Sequence, residues 1–251
     1  MANRHVSRIF AKDGRSLIVA FDHGAGGANF AGMADQAKTI REVTAAGADA
    51  ILTTVGVARN HAALIERLGL VLSLDGLVDD PEYAVIDAVK LGADVGKVIC
   101  TPWSKESPRS VSECRRLATV CHAWGFPLMV ETIPVAFQAT DEHTPDKIGR
   151  AAKIGEELGA DVLKIHYMGD VETFKQAIKP LVVPIVVLGG PARDDPRLTL
   201  ADVAGAMSAG AVGIAIGRNI WAYKNPGRMV AALASILHGG ASADEAVREL
   251  G

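Results

Sequence analysis

The sequence predicts an α/β fold in which eight parallel strands alternate with helices and close into a (β/α)8 barrel. Three observations carry that expectation: eight short apolar runs recur along the 251 residues, amphipathic stretches separate them, and a Gly-Ala-Asp phrase returns before alternate runs. Short runs that are apolar throughout, without alternation, are what parallel strands buried on both faces require, and the stretches between them supply helical crossovers. Roughly 250 residues is the length at which eight such units make a TIM barrel. A single domain over residues 1–251, with no linker, is therefore expected.

The runs follow in order. Leu17–Phe21 ends in Asp22-His23-Gly24, a carboxylate closing an apolar strand. Ala50–Thr53 follows Ala46-Gly47-Ala48-Asp49, whose glycine ends a helix in a left-handed cap and turns the chain into the strand. Val71–Leu74 comes third. Asp94–Cys100 follows the same phrase at Leu91-Gly92-Ala93-Asp94 and carries Lys97, while Leu128–Glu131 ends in another carboxylate. Val162–His166 follows Leu158-Gly159-Ala160-Asp161 and carries Lys164. Ile185–Leu188 runs into Gly189-Gly190-Pro191; Gly213–Ile216, after Ala209-Gly210-Ala211, runs into Gly217-Arg218-Asn219. The polar loops 103–109 and 139–146 both follow strands, on the face where barrel enzymes place their sites.

Equal offsets from the repeated phrase define a layer. Side chains that fill a barrel come in sets of four from alternate strands, so Leu52, Lys97, Lys164 and Ala215 are expected to share one interior level. A lysine within Val162-Leu163-Lys164-Ile165 is expensive to bury as a cation unless it finds a partner or gives up its proton. Two lysines at matching depth therefore predict a shared site. Glu131 lies on the strand between theirs, and Asp22 adds a second carboxylate at the same mouth.

Composition narrows the function. The chain is 49% hydrophobic with 26 glycines, which describes a large core and many tight turns. Lys+Arg 26 against Asp+Glu 29 gives a net charge of −3 without runs of like charge, so no nucleic-acid or membrane-surface partner is expected. Cys100, Cys114 and Cys121 lack zinc-ligand spacing and read as small buried hydrophobes in a reducing compartment. No signal-peptide core or run of ~18 apolar residues appears, and a cytoplasmic location is expected. The seven histidines show neither His-x-His nor His-Glu-x-x-His, so no metal and no cofactor is expected. His23 is expected to bond to neighbouring backbone or to act in catalysis; His166 and Tyr167 either line the mouth or face solvent.

Glycines after strands seven and eight let backbone amides approach an anion, and a short helix beginning at Gly217 adds its positive end and Arg218. Gly189, Gly190, Gly217 and Arg218 are thus the expected phosphate site. A buried lysine, a nearby cation, carboxylates and a phosphate clamp suit one reaction class. Burial and like charge favour the free amine, the amine attacks a ketone, and the iminium draws electrons from the bond between the α and β carbons while a carboxylate takes the β-hydroxyl proton. That is retro-aldol cleavage.

Phe21-Asp22-His23-Gly24, Asp161-Val162-Leu163-Lys164, Gly189-Gly190-Pro191 and Gly217-Arg218-Asn219-Ile220-Trp221 resemble the motifs of the class I aldolases of the superfamily that includes deoxyribose-phosphate, archaeal-type fructose-bisphosphate and tagatose-bisphosphate aldolases. The resemblance covers nearly the whole chain. It implies that Lys164 forms the Schiff base, that Asp22 is a site carboxylate, and that the glycine turns with Arg218 hold phosphate. Where the archaeal type has a Tyr-Pro pair after strand five, this chain has Ile133-Pro134, so that tyrosine acid is absent. Ala93-Asp94-Val95-Gly96-Lys97 and Met129-Val130-Glu131 are more similar to the tagatose-bisphosphate and sulfofructose-phosphate aldolases, which implies proton-transfer roles for Lys97 and Glu131. The implied substrate is a phosphorylated ketose, split without a metal into a ketone phosphate such as dihydroxyacetone phosphate and an aldehyde, by a homo-oligomer. Thiolase-like acyl transfer on a phosphorylated dione and a non-catalytic sugar-phosphate-binding role remain open on the sequence alone.

Overall fold

The computed structural model describes residues 4–27 and 31–251. Eight parallel strands close into a barrel in sequential order: β1 Ser16–Phe21, β2 Ala50–Thr53, β3 Gly69–Ser73, β4 Val95–Cys100, β5 Leu128–Thr132, β6 Val162–His166, β7 Ile185–Leu188 and β8 Gly213–Ile216. Helices lie between them, among them Gln36–Ala45, Pro81–Lys90, Ser110–Trp124, Pro145–Glu157, Val171–Ile178 and Pro196–Ala209, with Pro226–Leu237 after β8.

The expected strands appear with small shifts. The third begins at Gly69 rather than Val71, because Gly69 is not a turn. It sits where a Cβ would press on Ile9 Cα at 2.9 Å, and only glycine fits beneath the N-terminal segment. Leu74 falls outside β3, yet its amide still donates to the Lys97 carbonyl at 2.8 Å. β4 begins after Asp94, whose side chain has another task.

That task explains the repeated phrase. Asp49, Asp94 and Asp161 each accept an amide from the first or second residue of the preceding odd strand, from Leu17 at 2.7 Å, Leu70 at 2.9 Å and Leu128 at 2.9 Å. Their own amides return the bond to the carbonyls of the same residues. These paired bonds satisfy backbone groups at the N-terminal rim of the barrel. The preceding glycines hold the expected left-handed conformation, with φ of +100° at Gly47, +72° at Gly92, +104° at Gly159 and +112° at Gly210.

Helix starts follow a second local rule. Asp80, Thr144, Asp195 and Asn225 each accept an amide of the first turn, and each is followed by proline at the first helical position, where a missing N–H loses nothing. Each such cap stabilises its helix by about 1 kcal/mol.

Two apolar layers result. One fills the space between strands and helices. The other fills the barrel itself: Ile18, Ala20, Ala50, Leu52, Val71, Val95, Met129, Val162, Val186 and Ala215, with Ile9 of the short turn Val6–Ile9 plugging the N-terminal end. At the carboxyl end the same inward positions turn polar.

Candidate active site

Parallel register explains how the lysines meet. Lys97 pairs with Ser73 and Met129 across the sheet, and Lys164 pairs with Glu131 and Val186. Inward positions therefore advance from Val95 to Lys97 on β4, from Met129 to Glu131 on β5 and from Val162 to Lys164 on β6. Leu52 and Ala215 belong to the barrel interior as expected, and Lys97 and Lys164 are buried with them, at 2% and 5% exposure.

The charges interlock. Glu131 bridges the two lysines: its Oε1 lies 2.9 Å from Lys164 Nζ, and its Oε2 lies 3.0 Å from Lys97 Nζ. Lys97 also reaches Asp22 Oδ2 at 3.2 Å and Asp75 Oδ2 at 2.7 Å. The lysines thus do not face each other as bare cations; a shared carboxylate separates them. Burial works against the Lys97 ammonium, but Asp75, Glu131 and Asp22 outweigh it and hold the lysine charged well above the usual range. Burial likewise pushes Asp22 up, and Lys97, Lys164 and His23 together bring it down to about 2. For Glu131 the same contest is won by Lys164 and Lys97, which keep the carboxylate ionised below its ordinary range despite burial.

Asp75 was not singled out from the sequence. It stands in the turn Asp75–Leu77 after β3, accepts the Ser73 hydroxyl at 2.8 Å on the oxygen that meets Lys97, and takes the Ile99 amide at 2.7 Å on the other. The available signal was a pattern: strands one, three and five each end near a carboxylate, at Asp22, Asp75 and Glu131. In sequence, Leu74-Asp75-Gly76 resembles an ordinary turn.

These groups form the floor of a cavity of about 780 Å³, which Gly189, Gly190, Gly217 and Arg218 also line. The expected anion site therefore opens onto the same space as Lys164. Gly190 has φ of +65°, and a Cβ on Gly217 would overlap the Ala20 carbonyl oxygen, so both turns depend on glycine. Gly217 caps the short helix Arg218–Trp221, whose first amides have no partner within a helix. Arg218 Nε is buried without a hydrogen-bond partner in the protein.

Asn219 is a second residue the sequence reading did not single out. Its Nδ2 donates to the carbonyls of Gly189 at 2.9 Å and Pro191 at 3.0 Å, and its Oδ1 accepts the Arg193 amide at 2.9 Å. One buried amide side chain thus ties the turn after β7 to the helix after β8. Trp221 braces the other flank, donating Nε1 to the Ala20 carbonyl at 2.9 Å and packing edge-on against His23.

His23 and His166 are both half-buried. His23 makes no backbone bond through Nδ1, which is buried without a hydrogen-bond partner and lies 3.6 Å from Asp22 Oδ1. The ring packs on Trp221 instead, and burial lowers its pKa against the pull of Asp22. His166 stacks on His143 with centroids 4.6 Å apart, and burial together with that neighbour lowers it to about 4. Tyr167 packs on Phe174 and does not line the cavity that holds Lys164. No tyrosine lines the cavity among the described residues, in keeping with Ile133 at the position after strand five. The three cysteines are buried and free. Among the described residues no helix is long and apolar enough to cross a membrane.

A family model for DeoC/LacD family aldolases matches residues 16–223. The fructose-bisphosphate aldolase class 1 of Thermoproteus tenax is 34% identical over 247 residues, covering 93% of each chain. The 2-amino-3,7-dideoxy-D-threo-hept-6-ulosonate synthase of Halobacterium salinarum is 32% identical over 247 residues, 95% of this chain and 92% of that protein. A solved archaeal fructose-1,6-bisphosphate aldolase, with its catalytic lysine bound in the carbinolamine intermediate of the substrate, superposes with a TM-score of 0.81 at 30% identity, covering 94% of this chain and 98% of that one.

Proposed function

This chain belongs to the DeoC/LacD family and is a class I aldolase; from that premise we propose that it cleaves a phosphorylated ketose through a Schiff base on Lys164. The observation that carries the proposal is the placement of Lys164 Nζ, buried and 2.9 Å from Glu131 Oε1, in a cavity that the two glycine turns and Arg218 also line. Those turns and Arg218 hold the phosphate, and the ketone carbon comes to Lys164.

The steps use groups already in place. Glu131 takes a proton from the Lys164 ammonium, and the free amine adds to the ketone. Glu131 hands that proton to the carbinolamine oxygen, which leaves as water, and is a carboxylate again beside the Lys97 ammonium. Glu131, or Asp22 beside it, then accepts the proton of the β-hydroxyl. The bond between the α and β carbons breaks, its electron pair passes into the iminium, and an aldehyde departs from the enamine. Protonation of the enamine carbon and addition of water release a ketone phosphate, such as dihydroxyacetone phosphate, and restore Lys164. Because the iminium is the electron sink, the reaction needs neither metal nor cofactor. The protein acts as a cytoplasmic homo-oligomer on this reading, without nucleic-acid or membrane partners. Acyl transfer and a non-catalytic binding role are not favoured by the family match.

The division of labour is testable by kinetics. Lys164→Met is expected to abolish turnover while inorganic phosphate still binds, whereas Arg218→Ala is expected mainly to raise KM. Equal kcat losses in both, with phosphate binding unchanged in both, would contradict it.

A further inference from the structure

We infer that the substrate is a ketose monophosphate whose aldehyde half carries no charge, because among the described residues that line the cavity across from the glycine turns no cation is free to receive a second phosphate. The inference rests on the phosphate placement proposed above and concerns the other end of the same substrate.

In a closed barrel of eight strands in sequential order, the strands facing β7 and β8 are β3 and β4. There the cavity is walled by Val55, Ser73, Asp75 and Leu77, with Gln138 from the loop after β5. One cation serves this sector. Lys97 is already taken by Asp22, Asp75 and Glu131, at 3.2, 2.7 and 3.0 Å. Counted with Lys164, which shares Glu131, two positive and three negative charges leave a formal −1 for this group. A phosphate placed there would lose water without gaining a counter-charge, against a negative potential strengthened by burial.

Cations on the surrounding loops do not make up the deficit. Arg109 Nε lies 3.2 Å from Glu113, Arg193 Nη2 lies 2.5 Å from Asp202, and Lys147 pairs with Glu142. Lys105 is exposed and does not line the cavity. What the sector does offer is the polar side chains of Ser73, Asp75 and Gln138 and the apolar surfaces of Val55 and Leu77. Hydroxyl groups and short carbon chains fit those walls; a phosphate does not. In this the chain is expected to part from its relatives named for fructose bisphosphate.

The test uses the wild-type protein with ketopentose and ketohexose 1-phosphates against the corresponding bisphosphates at equal ionic strength. It reads kcat/KM for each and the borohydride-fixed mass on Lys164. The best monophosphate is expected to exceed the best bisphosphate by about tenfold or more, and Lys105→Ala to leave that ratio unchanged. A smaller preference, a reversed one, or a ratio that moves with Lys105 would overturn the inference while Lys164 still traps. Trapping with none of the compounds would overturn the Schiff-base assignment to Lys164, and this inference with it.

Discussion

Lys97 is the residue whose surroundings most constrain the chemistry. Three carboxylates hold it as a cation, so it balances charge at the centre while Glu131 faces Lys164. Removing it leaves Asp22, Asp75 and Glu131 acting on Lys164 alone, and the more negative potential favours protonated groups. The acid limb of the pH–rate profile of Lys97→Ala is therefore expected to move to higher pH; an unmoved limb would remove Lys97 from the site. Asp22 makes a prediction about stability. Its folded pKa of about 2 lies below the ordinary aspartate value of 3.8, so its contribution is present above pH 4 and lost as pH falls through about 2. The stability gap between wild type and Asp22→Asn, followed by denaturant unfolding, should grow from near zero at pH 2 to about 2 kcal/mol above pH 4. A gap independent of pH would contradict the pairing.

At the scale of elements, the sequence disclosed what periodicity can carry. Strand positions, the glycine caps and the inward register of Lys97 and Lys164 follow from local apolar runs and a repeated phrase. Asp75 and Asn219 escaped because their roles depend on neighbours distant in sequence: Asp75 bonds β4 across 24 positions, and Asn219 bonds the β7 turn across 30. A turn aspartate and a helical asparagine look ordinary until the barrel closes. The packing of His23 was not legible for a related reason, since the ring meets Trp221 from the far end of the chain. Asn219→Ala would leave the Gly189 and Pro191 carbonyls without their donor, a loss of about 1–3 kcal/mol. Its expected signature is a raised KM with kcat within about threefold of wild type. A fall in kcat at unchanged KM would show that the residue does not act through the phosphate turns.

Across the whole molecule, the proposed chemistry and the bonds that close the N-terminal rim occupy opposite ends of the barrel. The aspartates of the repeated phrase close the N-terminal rim, and the carboxyl rim holds the ionised cluster and the glycine turns. Asp49→Ala strands the Leu17 amide and takes one of two carboxylate partners from His238, so Tm is expected to fall by several degrees while kcat/KM stays within about twofold. Comparable loss of activity in the correctly folded variant would contradict the separation.

The central claim is that Lys164 becomes covalently joined to substrate. Borohydride reduction during turnover of a ketose phosphate, followed by peptide mass spectrometry, tests it directly. The account predicts a single reduced adduct on the peptide carrying Lys164, absent from Lys164→Met. An enzyme that turns over yet yields no adduct, or carries it on Lys97, would contradict the account.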